Sequence, residues 1–360
     1  MRIAIIHHSE DTSNDYGAFI SSLLQNVLAE KKYVAADYHQ VLREKSLPGS
    51  ADLLLHIVIP ASGKWGLNHW YKRKLPRIFK NMKIDVIICS YGICTLSNIP
   101  QILIIPDTSL LLSDKPAFLW QQYAARRIKK NLDAAKNIIT YSQQSKQIIP
   151  QQKTVVIPYT TKDLFQPLEW HDKLYIKSRF AENKEFFISI IPDNNEKIFV
   201  ELLKAFSKFK KSQQSSMQLL LLPKEDSFTR RIDNKLDTYK YRNDVKLIND
   251  ADEKETAQII ASAYAYLHIP ENDADLLPVV IAMKSALPVV GYYTDSMYEY
   301  CGDTAILIKE QSFDLLGEEL IRIYKDESLR TKLCELAVSK TASYQQAETA
   351  DQVCKILDIP

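Results

Sequence analysis

Short apolar runs alternate with amphipathic stretches along the chain, the pattern that builds parallel strands joined by crossover helices. Residues 2–7 (RIAIIH) read as a first strand, and Ala18–Leu28 as a helix with Phe19, Leu23, Leu24 and Val27 on one face. Leu53–Ile59 is a second buried strand, and the stripe Leu75, Ile78, Phe79 and Met82 is a helix leading into a strand at Asp85–Cys89. A strand at Gln101–Ile105, a long helix around Trp120–Ala135 and strands at Asn137–Tyr141 and Val155–Pro158 follow. Together these predict one doubly wound domain over residues 1–165.

Residues 166–184 mix prolines, aromatics and charges without a period and read as a linker. The pattern then restarts, with strands at Glu185–Ile191, Gln218–Leu222, Val245–Ile248, Tyr264–Ile269 and Pro288–Gly291. Helices are predicted at Lys197–Lys210, Glu253–Ala263, Val279–Ser285, Asp314–Tyr324 and Glu327–Val338. This makes a second domain over 185–338 and a closing helical segment within 339–360. Two successive domains of this kind place a ligand in a cleft between them, outside the carboxyl ends of the strands.

Composition narrows the classes. A chain of 360 residues exceeds what one core usually serves. A net charge of +2 provides no global field to recruit nucleic acid. The start MRIAIIHHSE lacks the long apolar region of a secretion signal, and no stretch approaches the roughly 18 apolar residues of a spanning helix. The cysteines Cys89, Cys94, Cys301, Cys334 and Cys354 have neither zinc-site nor redox-pair spacing, so buried free thiols in a reducing, cytoplasmic compartment are expected. No carboxylate cluster suggests a metal. Only eight glycines occur, against roughly 7% in average proteins. Phosphate-cradling loops depend on glycine for close backbone approach, so few such loops can be built here.

Residues 270–308, PENDADLLPVVIAMKSALPVVGYYTDSMYEYCGDTAILI, resemble the donor-site signature of the group 1 (family 4) retaining glycosyltransferases. That signature reads P-S-x-x-E-G-F-G-L-P-x-L-E-A-M-A-x-G-x-P-V-V, then a later glutamate and a G-D-A-A-x-L-V run. Leu277, Pro278, Val280, Ala282, Met283, Pro288, Val289, Val290, Glu299, Gly302, Asp303, Ala305 and Leu307 fall on matching positions. Weaker echoes are Asn137–Ser145, Val155–Phe165, Lys197–Phe206, Leu219–Lys224 and Ser343–Leu357. The resemblance implies the GT-B fold: two facing Rossmann-like domains with a cleft between them and a C-terminal helix crossing back.

The donor-touching positions depart from that pattern. The two glutamates that flank the donor in the family, one near the sugar and one on the ribose, are replaced by Asp273 and Ile281. Losing a charged acceptor of ribose hydroxyls costs on the order of 1.5–3 kcal/mol. The G-F-G loop is Ala274, Asp275 and Leu276, and the strand-end glycine and arginine are Ile191 and Pro192. After the first strand, Ser9–Tyr16 replaces a Gly-Gly turn, Pro106 stands where the family often has histidine, and Tyr159–Thr160 replaces Asn-Gly.

The resemblance implies transfer of a hexosyl group from a nucleotide sugar to a glycan or lipid-linked acceptor, with no cofactor and no metal. It places Asp273 near the sugar, and Lys197 and Lys224 on the diphosphate. Asp275, Leu276, Leu277 and Glu299 line the donor. His7 and Asp107, each after a strand of the first domain, are acid–base or acceptor-orienting candidates. A second reading is a catalytically inactive relative that serves as a binding or partner subunit, which the Ile281 position and the glycine deficit favour. The segment Trp65–Lys83 combines Trp65, Trp70 and Tyr71 with Lys72, Arg73, Lys74, Arg77, Lys80 and Lys83. Its Trp65–Lys74 part is a candidate for peripheral contact with the inner membrane face.

Overall fold

The computed structural model describes residues 2–8, 34–37, 53–59, 66, 69–90, 98–105, 108, 132–149, 153–191, 195–223, 226–270, 275–342, 351–352 and 355–356. The chain divides into two compact units, Met1–Thr160 with Gln346–Pro360, and Thr161–Gln345.

Among the described residues the first unit holds seven strands: β1 (Arg2–His8), β2 (Val34–Asp37), β3 (Leu53–Ile59), β4 (Val86–Ser90), β5 (Gln101–Ile104), β6 (Asn137–Thr140) and β7 (Thr154–Val156). They form one parallel sheet in the order β2-β3-β1-β4-β5-β6-β7. Ile3–Ile6 of β1 are buried, as befits a strand covered on both faces. Two helices are described, α1 (Leu75–Met82) and the short α2 (Gln143–Ile148). The apolar stripe of α1 is real: Leu75, Ile78 and Phe79 are buried against Ala4, Ile6, Ile87 and Leu103. A π-helical turn, Trp70–Lys74, runs directly into α1. Near the far end of the chain, the Asn137 amide donates to the Ile356 carbonyl at 3.2 Å, within this unit.

The second unit begins with α3 (Trp170–Phe180), where the sequence pattern predicts a linker. Its buried positions are Ile176 and Lys177, while Trp170, Leu174 and Tyr175 face solvent. Apolar residues on the outer face hide the helical period, which is why the pattern reads as irregular. The helix packs on α6 (Glu253–Ser262). The buried Lys177 amine is bonded to Glu185 at 2.5 Å, and Arg179 pairs with Glu255.

Among the described residues six parallel strands follow: β8 (Phe186–Ile191), β9 (Gln218–Pro223), β10 (Val245–Leu247), β11 (Ala265–His268), β12 (Val289–Tyr292) and β13 (Ala305–Ile308). Their order, β10-β9-β8-β11-β12-β13, runs one way from β8 and the other way from β11. This is the 3-2-1-4-5-6 arrangement of doubly wound sheets, with the reversal between β8 and β11. The remaining helices are α4 (Glu196–Gln213), α5 (Asp226–Leu236), α7 (Leu277–Lys284), α8 (Asp295–Cys301), α9 (Phe313–Lys325) and α10 (Glu327–Thr341).

α4 is amphipathic. Ile198, Phe199, Leu202, Leu203, Phe206 and Phe209 are buried, in one cluster with Leu316, Leu320 and Ile323 of α9. α7 is apolar all round, and every residue from Leu277 to Met283 is buried. Such a helix is stable only when covered on all sides, here by β11, β12 and α10.

Three predicted helices have no full description: Ala18–Leu28 lies outside the described residues, as do Trp120–Ala135 short of Leu132 and most of the closing segment. Residues 132–134 form a turn, and 351–352 and 355–356 are helical.

Candidate functional site

In open doubly wound sheets a ligand crevice forms outside the carboxyl ends of the strands, where the strand order reverses. In the second unit that point lies between β8, ending at Ile191, and β11, ending at His268. α4 starts five residues beyond the end of β8, and its first turn is capped by Asn195, whose side-chain oxygen accepts from the Ile198 amide at 3.3 Å. α7 starts beyond β11, with proline in its first turn.

Lys197 is the second residue of α4 and is exposed. It lines a groove of about 490 Å³ with Glu196, Val200, Glu201, Lys204, Lys235 and Phe313. Two neighbours are committed: Glu196 pairs with Lys235, and the Lys204 amine sits 5.0 Å from the Phe313 ring centre. The Lys197 amine is in no ion pair with another described residue. A cation at a helix start is not compensated by the helix dipole, and an anion there satisfies both.

Below that groove the Tyr292 phenol, at the end of β12, donates to Glu201 Oε1 at 2.5 Å. Burial, and then the Glu201 carboxylate it bonds, push the phenol well above its usual range. Tyr292 therefore stays a donor and fixes Glu201. The alternation of β12 with α4 gives no sign of this pair, which joins residues 91 positions apart.

The Asp275–Leu277 segment stands at the start of α7. Asp275 is partly exposed, whereas Leu276 and Leu277 are buried. Leu276 has φ −110° and ψ −20°, a conformation open to any residue, so this part of the loop does without glycine at no backbone cost. Ile281 is 9% exposed, and its carbonyl accepts from the Ser285 amide at 3.0 Å. An apolar side chain thus occupies the position that corresponds to the ribose-binding glutamate of the resemblance.

Glu299 is half-buried on α8, beyond β12. Lys197, the Asp275–Leu277 segment and Glu299 therefore follow the carboxyl ends of three strands of one sheet, β8, β11 and β12. Asp273 and Lys224 lie outside the described residues, as does Asp107 of the first unit. His7 is the penultimate residue of β1, in register with Val58 of β3, at the strand-order reversal of the first sheet.

The aromatic part of the Trp65–Lys74 expectation needs correction. Trp70 and Tyr71 are buried among the residues that seat α1, and the Lys74 amine lies 4.3 Å from the Trp70 ring centre. Trp65 lies outside the described residues. Among the described residues of 65–83, the cations Lys72, Arg73, Lys74, Arg77, Lys80 and Lys83 are exposed. Among the described residues, no group of three His, Cys, Asp or Glu side chains is placed to hold a metal ion, and no helix is long and apolar enough to cross a membrane.

Comparison with known proteins agrees with this geometry. Residues 172–338 match the family described as glycosyl transferases group 1. No curated protein sequence matches the chain. Among solved structures, sucrose-phosphate synthase from Thermosynechococcus elongatus superposes with a TM-score of 0.75 at 14% identity, over 99% of this chain and 98% of that one. Anabaena Alr3699/HepE in complex with UDP and glucose gives 0.74 at 15% identity, over 99% of both chains. WaaG, a glycosyltransferase involved in lipopolysaccharide biosynthesis, gives 0.73 at 13% identity, over 98% and 99%. The fold is that of the GT-B glycosyltransferases, with a group 1 match across most of the second unit.

Proposed function

We propose that the chain transfers a hexosyl group from a nucleoside-diphosphate sugar to a glycan or lipid-linked acceptor, with retention at the anomeric carbon. The observation that carries this reading is one coincidence. The group 1 match, residues 172–338, falls on the unit whose strand order reverses between β8 and β11, with Lys197 exposed at the start of α4. The structural relatives solved with UDP and UDP-glucose support a nucleotide-sugar donor.

In the proposed step the bond between the anomeric carbon and the diphosphate oxygen breaks, and the electron pair leaves with the diphosphate. The acceptor oxygen bonds to the anomeric carbon on the same face and passes its proton to the departing diphosphate oxygen. Positive charge develops on the sugar and negative charge on the leaving phosphate, so cations on the diphosphate lower the barrier. Lys197 is assigned that role, with Lys224 as a second cation. Asp273 is assigned to the sugar. Asp275, Leu276, Leu277 and Glu299 form the donor-side wall. His7 and Asp107 are the acceptor-side candidates of the first unit. The nucleotide sugar is a substrate, and the step uses no cofactor.

A cytoplasmic setting suits this reading. Contact with an anionic membrane face would rest on the exposed cations of Lys72–Lys83, each worth about 1 kcal/mol near such a surface, since Trp70 and Tyr71 are buried.

The experiment is an assay of nucleoside-diphosphate release from a panel of nucleotide sugars, with and without oligosaccharide acceptors. Turnover of one donor, slowed about tenfold or more in Lys197→Ala, is the expected result. Nucleotide binding without turnover, whatever the acceptor, would instead support the binding-subunit reading.

A further inference from the structure

Beyond β12 the chain reads Tyr293-Thr294-Asp295-Ser296-Met297-Tyr298-Glu299, and two of its rings lie side by side, Tyr293 half-buried and Tyr298 exposed. The Tyr293 amide donates to the Ile308 carbonyl at 2.8 Å, which ties that residue to the carboxyl edge of the sheet. Its phenol donates to Asp295 Oδ1 at 2.9 Å. The Thr294 hydroxyl caps α8 by accepting from the Met297 amide at 3.0 Å, and Ser296, Met297, Tyr300 and Cys301 are buried beneath the helix. Tyr298 is therefore carried on an anchored turn, yet it is 50% exposed. Its ring centre lies 5.9 Å from that of Tyr293, with the planes 35° apart.

Exposed aromatic surface held this firmly forfeits the stabilisation that burial would give. The surroundings define what covers it. No Lys or Arg occurs from Gly291 to Ile308, while Asp295, Glu299 and Asp303 do. A pyranose fits: it offers a face of C–H groups to an aromatic ring and a rim of hydroxyl donors to carboxylates.

We infer that Tyr293 and Tyr298 form a platform for the face of a neutral pyranose ring, with Asp295 and Glu299 at its rim. This extends the glycosyl-transfer reading and rests on it for the source of the sugar, which is either the glycosyl group of the donor or a residue of the acceptor.

The test is saturation-transfer NMR on the full chain with methyl glucoside, galactoside and mannoside, and separately with UDP and UDP-glucose. At least one glycoside should receive saturation at its ring C–H protons. Tyr298→Ala should weaken that binding about five- to tenfold, and Tyr298→Phe should preserve it. If Tyr298→Ala also weakens UDP-glucose but not UDP, the sugar is the donor's; if it spares both nucleotides, the sugar is the acceptor's. Glycoside binding by a chain that binds no nucleotide upholds the platform and refutes the donor reading. Nucleotide binding with no glycoside signal does the reverse. Unchanged glycoside binding in a folded Tyr298→Ala variant overturns the platform.

Discussion

The carbonyl oxygen of His268 lies only 2.4 Å from where a Cβ on Gly291 would be, so the carboxyl ends of β11 and β12 pack with backbone against backbone. The His268 Cβ, at 3.1 Å, closes the same space. In a chain with eight glycines this one is fixed by sterics. It sets how near the segment after β12 stands to the segment after β11, which carries Asp275, Leu276 and Leu277 of the proposed donor wall.

Gly291→Ala should therefore destabilise the second unit by about 1–3 kcal/mol, because neither neighbour is a flexible side-chain end that can move aside. Chemical denaturation followed by circular dichroism measures this. A midpoint equal to that of the parent chain would show that the strands separate freely.

Ile281→Glu tests what the apolar α7 has done to the donor site. The position is buried, so the carboxylate should lower stability by about 1–3 kcal/mol. If a nucleotide ribose lies over α7, the same substitution should tighten nucleoside-diphosphate binding by about tenfold or more. Calorimetric titration separates the two effects. Unchanged affinity would place the ribose elsewhere.

Glu182 gives a pH dependence. Hydrogen bonds from the Lys184 amine at 2.8 Å and the Lys246 amine at 2.6 Å hold its carboxyl down to about 2. A carboxyl depressed in the folded state contributes stability above its unfolded value, roughly 4.3, and loses it as pH falls through the folded value. Glu182→Gln should therefore be less stable than the parent at pH 7 and pH 5, with the gap narrowing at pH 3. Because all three groups are on the surface, added salt should shrink the gap as well. Urea midpoints for the two proteins across this range decide it, and a gap independent of pH would contradict the assignment.

The sheet framework was legible because its strands are continuous apolar runs. FFISII of β8 and QLLLLP of β9 can only be covered on both faces, and their spacing from the α4 stripe dictates a crossover. α3 was not legible, since Trp170, Leu174 and Tyr175 sit on its solvent side. Nor was α5, whose sequence DSFTRRIDNKL carries few apolar residues. The short α8 and edge strand β13 leave little mark on the pattern, the first too brief to show a period and the second only partly buried along its length.

Of the site, Lys197 and the Asp275–Leu277 segment could be placed from sequence because they flank predictable strand ends. The Tyr292–Glu201 bond and the Tyr293–Tyr298 pair could not. The first depends on how β12 meets α4, and the second on the Thr294 cap that sets where the seven-residue α8 starts.

The central claim, a nucleotide-sugar site on the second unit, is tested most directly by a thermal-shift screen against nucleoside diphosphates and their sugars. A ligand at about 100 times its dissociation constant stabilises a protein by about 2.7 kcal/mol. A clear rise with one nucleoside diphosphate, reduced in Lys197→Ala, is the expected result. A flat response to every nucleotide from a folded protein would contradict it.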